Sequence, residues 1–152
     1  MAEIVIREAE EEDFDRIVEL NGAVVEWTSA MDVERLRELA RLSCFHRVAL
    51  MDGHVAAFLL AMREDAPYPN DNHAWFAARF PRFVYVDRVV VGSDFAGLSI
   101  GSLLYRALFG YARSQGVGVA LICGATGTCR FVGASCCGGC ADSTRDERQG
   151  HQ

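Results

Sequence analysis

The sequence predicts an α/β protein of the α+β kind, a mixed sheet flanked by helices with elements in the order βααββ(loop)βαβ. Three observations carry this. Asp52-Gly53 sits between two apolar runs, the pattern of an antiparallel hairpin. Phe83–Val91 is an apolar, β-branched run followed by a short turn, a helical stretch and another apolar run, the pattern of a parallel crossover. The chain has 152 residues, 51% of them apolar and 24% charged, with no internal repeat, which suits one domain around one full core.

Taken in order, Glu3–Arg7 alternates apolar and polar residues and reads as a strand. The acidic run Glu10–Asp13 sits where a helix N-terminus favours negative charge. Phe14, Ile17, Val18, Leu20, Val24 and Val25 then supply the apolar stripe of that helix. Asp32 is placed to cap a second helix, with Val33, Leu36, Leu39 and Ala40 on one face. Arg47–Met51 and His54–Met62 are the hairpin strands. Arg63–Pro81 breaks the rhythm: it holds all three prolines, together with Tyr68, Trp75, Phe76 and Phe80. Long aromatic loops in compact domains are often functional, so this segment reads as a wall of a binding site or as a packing loop. Ala74–Arg79 is long enough for one helical turn within it. After the strand Phe83–Val91, Ile100, Leu104, Ala107, Leu108 and Tyr111 recur at helical spacing, and Gly116 supplies the stop. Val117–Cys123 is a further strand.

The net charge of −6 and pI near 5.2 argue against a general nucleic-acid or membrane-surface binder, which needs clustered basic residues. All 15 basic residues are arginine. The N-terminus is acidic and no apolar run is long enough to span a membrane, so the expectation is a cytoplasmic protein. The acidity suits solubility first and a cationic amine substrate second.

The strand–turn–helix from Phe83 to Gly116 is the stretch with chemical content. A helix start leaves backbone N–H groups without intrahelical partners, and its dipole adds partial positive charge. Gly97 and Gly101 let a ligand come close to the backbone. Such a site favours phosphate or diphosphate.

With its IVIREAEEEDFDRIVELN opening, DG hairpin, VDRVVV strand and AGLSIG loop, the stretch from residue 3 to 123 resembles the GNAT superfamily of acyl-CoA-dependent N-acetyltransferases. The resemblance implies acetyl-CoA as cosubstrate and a small-molecule or peptide amine as acceptor. The family's diphosphate loop follows Arg/Gln-x-x-Gly-x-Gly/Ala. Here the register is Ala96, Gly97, Leu98, Ser99, Ile100, Gly101, so only the last glycine stands in its place. Ala96 removes a side-chain contact worth roughly 1–3 kcal/mol if it bonds a phosphate. Ser99 replaces the middle glycine and is placed to act as helix N-cap. By position, Val89, Val90 and Val91 would offer backbone groups to the pantetheine arm. Residues from Phe95 to Ser102 would surround the diphosphate. Arg106 and Arg113 are candidates for the 3′-phosphate, or ordinary solvated residues.

Acetyl transfer needs a base for the amine proton, an acid for the leaving thiolate and a donor at the tetrahedral oxygen. Asp87 is the candidate base, and strand periodicity puts it on one face with Tyr85, Val89 and Val91. The competing reading is a structural bond from Asp87 to Arg88 or to a neighbouring loop. Glu26 and Asp71 are weaker alternatives. His46, His54 and His73 read as surface or hairpin residues. Tyr85 is a candidate acid, because the tyrosine that the family places near its C-terminus has no counterpart in this chain; Tyr105 or water would be the others.

The domain read from the sequence spans 1–123. Residues 124–152, with six glycines and no Tyr or Trp, read as an irregular Cys/Gly-rich tail, as though an originally longer ending were read in an altered frame. Cys137-x-x-Cys140 is half of a zinc motif without a second half, so no metal is expected.

Overall fold

The computed structural model describes residues 3–24, 30–123 and 128–132. It contains one six-stranded sheet whose strands lie in sequence order. Strand β1 is Ile4–Glu8, β2 Ser43–Met51, β3 His54–Arg63, β4 Phe83–Val91, β5 Gly118–Cys123 and β6 Thr128–Val132. Helix α1 is Phe14–Gly22, α2 Val33–Leu42, α3 Asp71–Ala77 and α4 Ile100–Gln115. All neighbouring strands are antiparallel except β4 and β5, which are joined through α4 and run parallel.

The local signals explain most of these elements. Asp52 (φ 50°) and Gly53 (φ 82°) both take the left-handed conformation that a two-residue type I′ turn demands. The Asp52 carboxylate also accepts from the Glu3 N–H (3.1 Å), tying the hairpin to β1. The acidic run forms a capping box, Glu10 with Asp13, over a 3₁₀ turn that feeds α1. Asp32 caps α2 by accepting from the Arg35 N–H at 2.7 Å. Gly116 ends α4 at φ 65°.

The sheet is packed on both faces. Phe14, Ile17 and Leu20 of α1, Leu36 and Leu39 of α2 and Phe76 of α3 cover one face, against Phe58, Leu60, Phe83 and Tyr85. Ile100, Leu104, Leu108 and Ala112 of α4 cover the other, against Ala57, Leu59, Val84 and Val86. β3 is buried along nearly its whole length, which makes it the centre of the molecule.

Three expectations change. The helix in the proline-rich segment is Asp71–Ala77 rather than 74–79, because the Asn70 side chain caps it by accepting from His73 N–H. His73 is buried, not on the surface, and its Nε2 lies 2.8 Å from the Arg63 carbonyl. Thr128–Val132, read from sequence as irregular, pairs with β5 as a sixth strand; a five-residue strand among glycines has little local signature, and the partner strand supplies the ladder. The zinc half-motif and residues 133–152 lie outside the described residues.

Candidate active site

The site is organised by an interruption in β4. On one side β4 pairs with β3 from Val84↔Arg63 to Val91↔Ala57. On the other it pairs with β5 only at Phe83, Val84 and Tyr85. From Val86 onward, among the described residues, that edge of β4 has no strand partner. Just past this point the β3–β4 register jumps from Ala61↔Val86 to Leu60↔Arg88. Asp87 is therefore the extra residue of a β-bulge.

The bulge corrects the sequence-based geometry. Period two puts Asp87 on one face with Tyr85, Val89 and Val91, but a bulge resets the alternation. Tyr85 and Val90 lie on the α1–α3 face, whereas Val89 and Val91 lie on the α4 face. Tyr85 is core: it is 3% exposed, with the His73 ring edge-on at 5.6 Å.

Asp87 keeps its carboxylate inside, with the side chain 4% exposed. Both competing contacts foreseen for it are present. Arg88 Nε donates to Oδ2 at 2.7 Å, and the Tyr68 hydroxyl from the proline-rich segment donates to Oδ1. Arg88, also buried, donates from Nη1 to Asn21 Oδ1 at 3.1 Å, and Asn21 of α1 is fully buried. Burial, followed by the nearby negative charge of Asp87, pushes the Tyr68 phenol well above its ordinary range. Asn21 was missed in the sequence. Its signal was a polar residue beside the apolar stripe, four after Ile17. Glu26 lies outside the described residues, and Asp71 is exposed in the first turn of α3.

The turn after β4 builds the second half of the site. Gly92 N–H donates to the Ala56 carbonyl at 2.8 Å. A 3₁₀ turn, Ser93–Phe95, follows. Ala96 is extended, Gly97 takes φ 81°, and Ser99 takes φ 59° at the N-cap of α4. Ser99 makes no side-chain capping bond, contrary to expectation, because a left-handed cap residue does not have the extended backbone from which a serine hydroxyl reaches back. The first backbone bond into the helix is Leu103 N–H to Ser99 C=O at 3.2 Å. Among the described residues, no protein group accepts from the N–H groups of Gly97, Leu98, Ser99, Ile100, Gly101 or Ser102. The run abuts the opened strand: a Cβ on Gly101 would lie 3.5 Å from the Val91 side chain. A cleft of about 360 Å³ lies between α1 and the turn after β4, lined by Leu20, Val24, Val91, Ser93 and Phe95 with Arg16 and Glu19, and stops short of the amide run. Arg106 and Arg113 are exposed on α4.

Residues 4–131 match the model of the Acetyltransferase (GNAT) family. The chain belongs to that family. This GNAT protein matches solved structures at low identity but over most of its length. Ard1 from Thermoplasma volcanium is 18% identical with a TM-score of 0.60, over 78% of this chain and 70% of that one. A GNAT family acetyltransferase from Brucella melitensis in complex with acetyl-CoA is 19% identical with a TM-score of 0.58, over 80% and 76%. An aminoglycoside acetyltransferase, meta-AAC0020 from an uncultured soil metagenomic sample, in complex with sisomicin, is 20% identical with a TM-score of 0.56, over 79% and 77%. At these identities the likeness establishes the fold. No curated protein matches this GNAT protein in sequence. Among the described residues no helix is long and apolar enough to cross a membrane.

Proposed function

We propose that this GNAT protein transfers an acetyl group from acetyl-CoA to the amine of a small molecule or peptide. The observation that carries the reading is the unpartnered amide run Gly97–Ser102, at the start of a 16-residue helix and beside the open edge of β4. Six N–H groups and a helix dipole suit a diphosphate. The free edge at Val89, Val90 and Val91 suits an extended amide-bearing arm laid along it like a strand. In the chemical step the neutral amine attacks the thioester carbonyl. A C–N bond forms, the C–S bond breaks, and the tetrahedral oxygen is held by a β4 N–H near Val89. Asp87 takes up the amine proton through a water, using a lone pair that Tyr68 and Arg88 leave unoccupied. With Tyr85 packed in the core, the leaving thiolate takes its proton from water.

A second reading, a module that binds CoA or a protein partner without turnover, is favoured by one observation: both oxygens of Asp87 already accept bonds. Calorimetry with acetyl-CoA tests the amide run, and absence of binding ends the transferase reading and the CoA-binding form of the second. A thiol-release assay over an amine panel separates them. In the transferase reading Asp87→Asn lowers kcat by about 100-fold or more, a larger loss than any in CoA affinity. Equal loss of both assigns Asp87 to structure alone.

A further inference from the structure

The bulge of β4 is fastened from outside its own strand. In a regular strand, neighbouring side chains point to opposite faces. Asp87 and Arg88 are consecutive, yet they bond each other at 2.7 Å and both find partners on the α1–α3 face. The bulged backbone accommodates this by turning both side chains to one face. The side chain of Asp87 is 4% exposed although the residue as a whole is half-buried: the carboxylate is inside and the main chain lies outward. A buried carboxylate needs its charge and its lone pairs satisfied. Arg88, itself anchored by Asn21, supplies one side, and Tyr68 supplies the other. Tyr68 lies 19 positions earlier, in the turn-rich segment between β3 and α3. That segment is pinned where Asn70 N–H donates to the Tyr68 carbonyl (2.9 Å), and where the buried His73 ring sits against the Tyr68 ring.

We propose that Tyr68 is a positioning residue: by donating to Asp87 it couples the docking of the 64–70 segment to the β4 bulge, and so to the opening of β4 away from β5. Without the hydroxyl, Asp87 has one donor fewer, the ion pair with Arg88 loosens, and residues 86–91 regain freedom to slip toward regular pairing. The segment thereby controls the strand edge that the cosubstrate is proposed to use. That consequence rests on the transferase reading; the coupling itself does not.

Hydrogen exchange on Tyr68→Phe decides the coupling without any ligand. The ring and its packing stay, and only the hydroxyl goes. Amides of 86–91 should exchange about tenfold faster than in the wild type, which is the order of one hydrogen bond to a charged group, while β1 and β2 are unchanged. Unchanged exchange at 86–91 overturns the proposal. So does a uniform rise across the sheet, which would make Tyr68 an ordinary core contact. Kinetics form the second arm: KM for acetyl-CoA should rise about tenfold, a change that a general loss of folded protein does not produce. If wild-type protein binds no acetyl-CoA, the transferase reading fails, and the exchange result still judges the coupling.

Discussion

The two halves of the site are built by opposite means. The Gly97–Ser102 run is a main-chain device: its shape comes from two left-handed residues and a helix start, and its donors are backbone amides. The bulge at Asp87 is a side-chain device, held by Tyr68, Arg88 and Asn21 from three separate segments. The difference teaches where sequence change is tolerated. A main-chain site survives replacement of its side chains, so Ala96 and Ser99 depart from the family pattern while the amides stay unpartnered. The bulge has no such tolerance, because each of its four side chains satisfies a buried partner.

The sharpest way to break that contrast is Arg88→Ala. It strands the Asp87 carboxylate in the interior, and removing one partner of a buried ion pair costs about 3–5 kcal/mol. The urea midpoint should fall accordingly, with the chain at the edge of unfolding. A loss below about 1 kcal/mol would show that the bulge is held by the backbone after all.

Acid treatment should act elsewhere on the same face, which separates the bulge from its surroundings. His46 of β2 faces Phe14, and its Nε2 is buried without a partner among the described residues. Burial pushes its pKa down to about 4, opposed weakly by Asp13. The folded value lies below that of an unfolded histidine, near 6.5, so the unfolded chain binds the proton first. Stability is therefore complete above about pH 6.5 and is lost as the pH falls to about 4, by up to about 3 kcal/mol. His46→Gln should flatten a plot of unfolding free energy over that window. If the slope persists in the variant, another group is responsible.

Adding a side chain to the main-chain half should help rather than harm. Ala96→Arg restores the basic position, and calorimetry should show acetyl-CoA binding about tenfold tighter, the value of one charge-assisted bond. No gain would mean that position 96 does not face the diphosphate. The smallest expected effect is Ser99→Gly. A serine at φ 59° is strained, and glycine relieves this by about 0.5–1 kcal/mol, seen as a small rise in Tm. A fall in Tm would show that the serine side chain makes a contact of its own.

The local signals decided much of this protein in advance. Asp52-Gly53 fixed a hairpin because both positions need positive φ, and Asp32 fixed a helix start because its carboxylate reaches the Arg35 N–H. The apolar run, glycine turn and helical stripe from Phe83 to Gly116 placed the amide run for the same reason: caps, turns and amphipathic periods are written within a few residues. The bulge was not legible, because a register jump is a relation between Asp87 and a strand more than twenty residues away, at Leu60 and Ala61. Period two therefore put Asp87 on a face with Val89 and Val91 that the folded strand denies it. Tyr68 and Asn21 were visible only as an aromatic in a loop and a polar residue beside an apolar stripe. Tertiary packing alone turned them into partners, since burying Asp87 and Arg88 requires donors and acceptors that their own strand cannot supply.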